Sequence, residues 1–229
     1  MEVVLDYRDP ILEGTGITIA VALCSLILAV GFGLLGAWGK LSSSSVAQRI
    51  CGSYTTLVRG VPDLVLMLLL FYGGQQVLND IGAATGWWTY LEINRFVAGV
   101  CTIGFIFGAY MTETFRGAYL AIPRGQIEAG IACGMSRGTL FRRILWPQLA
   151  RYALPSFGNN WLVLLKTTAL VSVLGLNELV RESFVAGRST RQLFTFFFVA
   201  LVIYLILTAI SDVGLRWLER RYSVGVRRS

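Results

Sequence analysis

ITIAVALCSLILAVGFGLLGAW, from Ile17 to Trp38, runs for 22 residues without a charge. At about 1.5 Å of rise per residue, a helix of that length covers roughly 33 Å and crosses a hydrocarbon core of about 30 Å. The composition agrees with a membrane protein: of 229 residues, 55% are hydrophobic and 14% charged, and the mean hydropathy is +0.65. Ahead of the run stand Glu2, Asp6, Asp9 and Glu13 with Arg8 as the one basic residue. No small-residue cleavage pattern follows, so this helix is not expected to be a cleavable signal.

Further apolar runs lie at about Leu57 to Leu78, Phe96 to Phe115, Tyr152 to Leu174 and Gln192 to Leu215. The expected fold is therefore all-α, a polytopic bundle of five spans in a single membrane domain over residues 1–229, with the termini on opposite sides. Within the second run only Leu64 to Leu78 is purely apolar, and its 15 residues reach about 22 Å. That helix is expected to recruit Thr55 to Asp63, leaving Arg59 to snorkel at an interface. The loop from Asn79 to Arg95, with Trp87, Trp88 and Tyr90, reads as an interfacial aromatic belt.

Basic residues fix the expected orientation. Lys40, Arg49 and Arg59, then Arg116, Arg124, Arg137, Arg142, Arg143 and Arg151, then Arg216, Arg220, Arg221, Arg227 and Arg228 fall on one side. Arg8, Arg95, Arg181, Arg188 and Arg191 fall on the other, and Lys166 lies within a span. The positive-inside rule puts the larger group in the cytoplasm, the amino terminus outside and the carboxyl terminus inside. The net charge of +7 is mostly this topology signal, because arginines split among loops around hydrophobic spans do not make a nucleic-acid surface. Cys24, Cys51, Cys101 and Cys133 show no CxxC spacing, and histidine is absent. Neither a disulfide framework, a metal site nor a bound cofactor is expected.

The longest polar interval, about residues 116 to 151, is itself helical in pattern. Pro123 can open a helix in which Ile127, Ile131 and Met135 repeat at spacing four, and Gly134 offers a stop. Ser136 can cap a second helix with Leu140, Phe141, Ile144 and Leu145 on one face. Two short amphipathic helices joined at a glycine form a compact docking surface, at about residues 121 to 150, which a neighbouring protein can approach closely.

Glu128-Ala129-Gly130, then Gly134, then Ile144-Leu145-Trp146-Pro147 resemble the cytoplasmic signature of the membrane subunits of bacterial ATP-binding cassette importers. Gly130 and Trp146 depart from that signature, which carries Ala and Leu there. Tyr54 to Asp63, Gly108-Ala109-Tyr110, Glu113, Arg116-Gly117 and Ile122 to Gln126 narrow the resemblance to the polar amino acid permease family. Asp63, Tyr152 to Pro155, Gly158 to Trp161 and Glu219 to Val226 are similar to the Q-type subunits of histidine and basic amino acid importers, with octopine and nopaline relatives close behind.

The resemblance implies the transmembrane domain of a type I importer in the inner membrane, with a periplasmic amino terminus. It implies a second, homologous but distinct permease subunit, two cytoplasmic ATP-binding subunits and a periplasmic amino-acid-binding protein. Glu128, Ala129, Gly134, Ile144 and Pro147 would couple to the ATPase. The chain itself has no GxxxxGK[ST] phosphate cradle and is expected to be no enzyme. A basic amino acid such as histidine, lysine, arginine or ornithine would be the substrate.

Candidates for the substrate path are Asp63, Glu113, Asn159, Asn160 and Lys166. For Asp63 and Glu113 the plain expectation is ion pairing with Arg59 and Arg116, and the sharper one is that Asp63 draws the cationic substrate inward. Lys166 costs on the order of 3 kcal/mol in lipid and is expected to face protein or water, in a structural or carboxylate-holding role. Asn159 and Asn160, with Thr167, Thr168 and Ser172, suit helix packing or a cavity lining. Glu128 suits either a charge contact to the ATPase or a helix amino terminus. The rival classes are a secondary transporter or channel for small polar solutes, for which five spans with no inverted repeat are few, and a membrane enzyme, for which no catalytic constellation exists.

Overall fold

The computed structural model describes residues 2–222, and all regular structure within them is helical. Ser223 to Val226, cited above for the resemblance, and Arg227 and Arg228 lie outside the described residues. A short turn α1 (Glu2–Asp6) leads into α2 (Arg8–Leu41), α3 (Ser45–Gly60) and α4 (Asp63–Thr85). Then come α5 (Arg95–Leu120), α6 (Arg124–Ala132), α7 (Arg137–Leu174), α8 (Leu179–Ser189) and α9 (Leu193–Tyr222). Five of these, α2, α4, α5, α7 and α9, are long and apolar enough to cross a membrane.

Two boundaries differ from expectation. The second span does not recruit Thr55 to Asp63: Val61 and Pro62 are extended, and helix resumes at Asp63. A proline has no N–H for the helix ladder and pushes its predecessor out of the α region, so the break falls there. Length is gained at the other end instead, through a π-turn at Leu69–Gly73 and on to Thr85. Asn79 to Thr85 are thereby helical, and the aromatic loop shrinks to the residues after Gly86, with Trp88 folded back onto Gly82.

The second correction concerns the polar interval. It holds one short helix, α6, but its partner is not short: Arg137 begins a 38-residue helix that becomes the fourth span. A π-turn at Phe141–Leu145 stands just before Pro147. Widening the turn there accommodates a residue with no N–H and a ring that would strike the preceding carbonyls. The last turns of α7, Thr168–Leu174, tighten to a 3-10 helix.

α5 is the axis of the bundle. About two-thirds of its most apolar window is buried, against 6% for α4 and 11% for α9. α2 lies along α5 through small residues: a side chain at Gly36 would strike Thr112, and one at Gly108 would strike Phe32 and Tyr54. Small residues let two backbones approach where no water is available to drive association. Val21, Ala29, Ile103, Phe107, Met111, Leu164 and Val171 fill the resulting core. A second, smaller core of Ile11, Leu179, Ala186, Phe196 and Ala200 joins α2, α8 and α9.

The basic residues sort by end as their spacing predicts. Lys40 and Arg116 converge on Glu113, at the end where α5 runs into α6. At the opposite end Arg95 donates to the Gly175 carbonyl (3.3 Å), and the Tyr7 hydroxyl meets Ser189 (3.0 Å).

Candidate functional site

Two adjoining cavities open at the Glu113 end. One, of about 490 Å³, is lined by Lys40, Thr55, Thr56, Arg59, Tyr110 and Glu113. The other, of about 540 Å³, shares Arg59, Tyr110 and Glu113 and adds Thr114, Pro155, Ser156, Asn159 and Asn160. α2 supplies Lys40 and α3, α5 and α7 the other side chains, held together because Tyr54 on α3 donates to the Phe105 carbonyl of α5, while the Asn160 amide of α7 donates to Thr114 (3.0 Å).

Glu113 is a knot. One carboxylate oxygen accepts from Lys40, whose ammonium also donates to Thr55 (2.9 Å), and the other accepts from Arg116 at 2.9 Å. Its side chain is about one-fifth exposed, so the charges are mostly removed from water, where pairing is strong and loss of one partner is costly. The expected Glu113–Arg116 pair is present. Lys40, with no part in the sequence reading beyond topology, is the residue that was missed; nothing in its spacing signals a partner 73 residues away.

The expected Asp63–Arg59 pair does not form. Arg59 lies over the Tyr110 ring, 5.5 Å from its centre, and is exposed. Asp63 opens α4 beyond the proline break, half-buried, and makes no ion pair within 4 Å among the described residues. Tyr110 feels both charges. Arg59 lines both cavities and Asp63 lines neither, reaching the wall only through its field on Tyr110.

Asn160 is spent on bridging α7 to α5, whereas Asn159 is exposed toward the second cavity. Thr167, Thr168 and Ser172 donate to carbonyls of their own helix. Lys166 lines neither cavity. It is exposed on α7, two turns beyond Asn159 and three beyond Pro155, hence on the stripe that faces the cavity.

The α6–α7 hairpin is built by its turn. Gly134 adopts φ +74°, its N–H reaches the Ile131 carbonyl (2.9 Å) and Met135 N–H reaches that of Gly130 (3.1 Å). This is a Schellman closure, in which a glycine in the left-handed region satisfies the orphan carbonyls of the helix end. Ser136 then caps α7, accepting from Thr139 N–H. Gly130 lies under the tips of Leu140 and Ile144, which would have to shift to admit the alanine methyl that the family signature has there. The departure at 130 lets the two arms close up.

Beyond that contact the hairpin is open. Glu128, Ala129, Ile131 (60%) and Pro147 are exposed; Phe141 and Trp146 are half-exposed and face each other at 6.3 Å. Ile144 is only partly covered. Glu128 sits in the second turn of α6, past the first turn where a helix dipole acts most strongly, so the dipole gives it little role.

Residues 23–224 match the model of the binding-protein-dependent transport system inner membrane component. The histidine/lysine/arginine/ornithine transport system permease protein HisQ of Escherichia coli (strain K12) is 54% identical over 97% of each chain. The octopine transport system permease protein OccQ of Rhizobium meliloti is 43% identical over 97% of this chain and 94% of its own. Among solved structures, an amino acid ABC transporter crystallised with histidines is 29% identical and superposes with a TM-score of 0.80 over 95% of this chain and 96% of its own. These similarities, together with five apolar helices and a closed, exposed hairpin, establish that the chain belongs to the family of binding-protein-dependent transport system inner membrane components.

Proposed function

We propose that this chain is a permease subunit of an ATP-driven importer of basic amino acids, such as histidine, lysine, arginine or ornithine. The observation that carries the substrate class is the 54% identity to a permease of that named specificity over 97% of both chains. On this reading a second, homologous permease subunit covers the open stripe of α7 from Pro155 through Asn159 to Lys166. Two ATP-binding subunits take up the hairpin, and a periplasmic binding protein delivers the amino acid at the Arg95 and α8 end. The amino terminus is then periplasmic and the carboxyl terminus cytoplasmic, in keeping with the distribution of basic residues.

Coupling follows from the way the hairpin is anchored. The second arm of the hairpin is continuous with a membrane span, so a push on Glu128, Ala129, Ile144 or Pro147 reaches the cavity as rigid-body motion of α7. Gly134 fixes the angle between the arms. No ATP chemistry occurs in this chain; it transmits the closure of its ATPase partners.

In the cavity, an α-amino acid presents one carboxylate and one ammonium, and a basic one adds a second cation. Arg59 offers a planar donor fork to the carboxylate, and Asp63, outside both linings but acting on Tyr110, offers an acceptor to the cation. Glu113, with both oxygens bound, is a fastening of the inner mouth and no longer the first choice for substrate contact. Asn159 and Lys166 add a polar flank on the side of the second subunit.

The reading is tested by reconstituting the full complex in liposomes and following lysine uptake. ATP-dependent uptake that survives collapse of ion gradients is expected; gradient-driven uptake by this chain alone would make it a secondary transporter. In the same assay Asp63→Asn should lower lysine uptake more than histidine uptake at a pH where histidine is largely neutral. Equal losses for both would remove Asp63 from charge selection, and unchanged ATPase stimulation in Glu128→Ala would remove Glu128 from coupling.

A further inference from the structure

At the end of the bundle opposite the hairpin, Glu178 is 1% exposed and, among the described residues, has no cation within ion-pair distance. It occupies the amino cap of α8, where one carboxyl oxygen accepts from Arg181 N–H (3.0 Å) and the other lies 3.3 Å from the Thr18 hydroxyl, whose proton it shares with the Gly14 carbonyl (2.9 Å). Thr18 in turn accepts from Leu179 N–H (3.2 Å), so the cap of α8 is sewn to the amino-terminal third of α2. From α9 the Tyr204 hydroxyl faces the same carboxyl and meets Thr168 of α7 at 3.4 Å. Three helices therefore converge on one carboxyl, and a fourth, α7, touches the group through Tyr204.

The charges around it are engaged elsewhere. Arg181 turns its guanidinium to Asn177 (3.0 Å), and Arg95 is held by Glu92 and the Gly175 carbonyl. Glu182 on α8 and Glu13 on α2 repel each other and supply no positive charge. A buried carboxylate without a counter-ion is destabilised relative to the acid, and burial pushes Glu178 up to about 7 in spite of its hydrogen bonds.

We propose that the Glu178 carboxyl is a proton-binding site whose occupancy sets how firmly α8 is seated on α2 and α9. Seated, the carboxyl is dry and holds its proton; unseated, it is hydrated and acidic in the ordinary range. The seated state binds the proton more tightly, so acid favours seating, and rising pH releases α8 until Glu178 is ionised in both states. Between the ordinary glutamate range and about 7 the seated-to-unseated ratio falls by up to about tenfold per pH unit. α8 links the ends of α2 and α9, so the proton biases the opening of that end of the path.

Hydrogen exchange of the α8 amides in the full transporter complex in liposomes, corrected for intrinsic rates, tests this between about pH 5 and pH 8. Protection should fall as pH rises in the wild type and stay high throughout in Glu178→Gln. Infrared difference spectra should show a protonated-carboxyl band titrating near 7 that is missing from the variant. A flat wild-type profile, or the wild-type profile persisting in Glu178→Gln, overturns the proposal. Should that variant not assemble, Thr18→Val removes a donor to the carboxylate and is expected to move the midpoint upward; an unmoved midpoint is equally fatal.

Discussion

Two glutamates stand at opposite ends of the bundle and meet opposite fates. Glu113 is one-fifth exposed and is gripped by Lys40 from α2 and Arg116 from its own helix. Glu178 is fully buried and, among the described residues, is answered by hydroxyls and backbone N–H groups alone. The first is a fixed charge and therefore a fastening. The second can exchange its charge for a proton and is therefore adjustable. Partners, more than depth, decide which kind a membrane carboxyl becomes.

The comparison breaks hardest at Glu113. Replacing it with Gln strands Lys40 and Arg116 in a partly dry site and should cost about 2 to 3 kcal/mol, read as thermal unfolding of the purified complex in detergent. Lys40→Glu combined with Glu113→Lys should recover part of that loss; no recovery would mean that the pair contributes nothing as a pair.

Glu178 should behave in the reverse sense. Its folded-state value is raised, so the stability it contributes is complete below the ordinary glutamate range and is lost as pH climbs to about 7. The loss amounts to about 1 kcal/mol per pH unit. Glu178→Gln should abolish that slope and equal or exceed the wild type at pH 8, whereas Glu113→Gln should leave the slope in place. A wild-type complex whose stability rises over that interval would contradict the assignment.

Smaller effects sharpen the contrast between ends. Gly134→Ala forces a side chain into the left-handed region at the hairpin turn and should cost about 1 kcal/mol, visible as weaker retention of the ATPase partners on a column. Smallest is Asn160→Ala, which removes one interhelical hydrogen bond, worth about 0.6 kcal/mol in a membrane. A shift in melting comparable to that of Glu113→Gln would show that Asn160 does more than bridge α7 to α5.

Much was legible from local pattern. The charge-free run at Ile17 to Trp38 announced the first span, Gly134 and Ser136 announced a turn and a cap, and the basic residues sorted the ends. Each of these depends on neighbours within a turn or two of helix. The misreadings share a cause as well. Counting apolar residues made the second span borrow Thr55 to Asp63, although Pro62 forbade a continuous helix. The arm after Ser136 reads as a short helix with one face ending at Leu145, yet a π-turn carries the helix past Pro147.

For the candidate site the division is sharper. Glu113 was readable as an acid beside Arg116, because three residues separate them on one helix. Lys40 was not readable as its second partner, nor Arg59 as a cation that bypasses Asp63 for Tyr110. Glu178 gave no sign at all among the residues of the loop after the fourth span.

By itself the sequence determined that the chain crosses the membrane five times, where its hairpin turns and which family signature it bears, since hydropathy, glycine and proline act locally. Only the tertiary structure decided which carboxyl is clasped by cations and which is buried alone. A charge in a low-dielectric interior is governed by whatever lies within a few ångströms, and here those neighbours come from helices as far apart in sequence as Thr18 and Glu178.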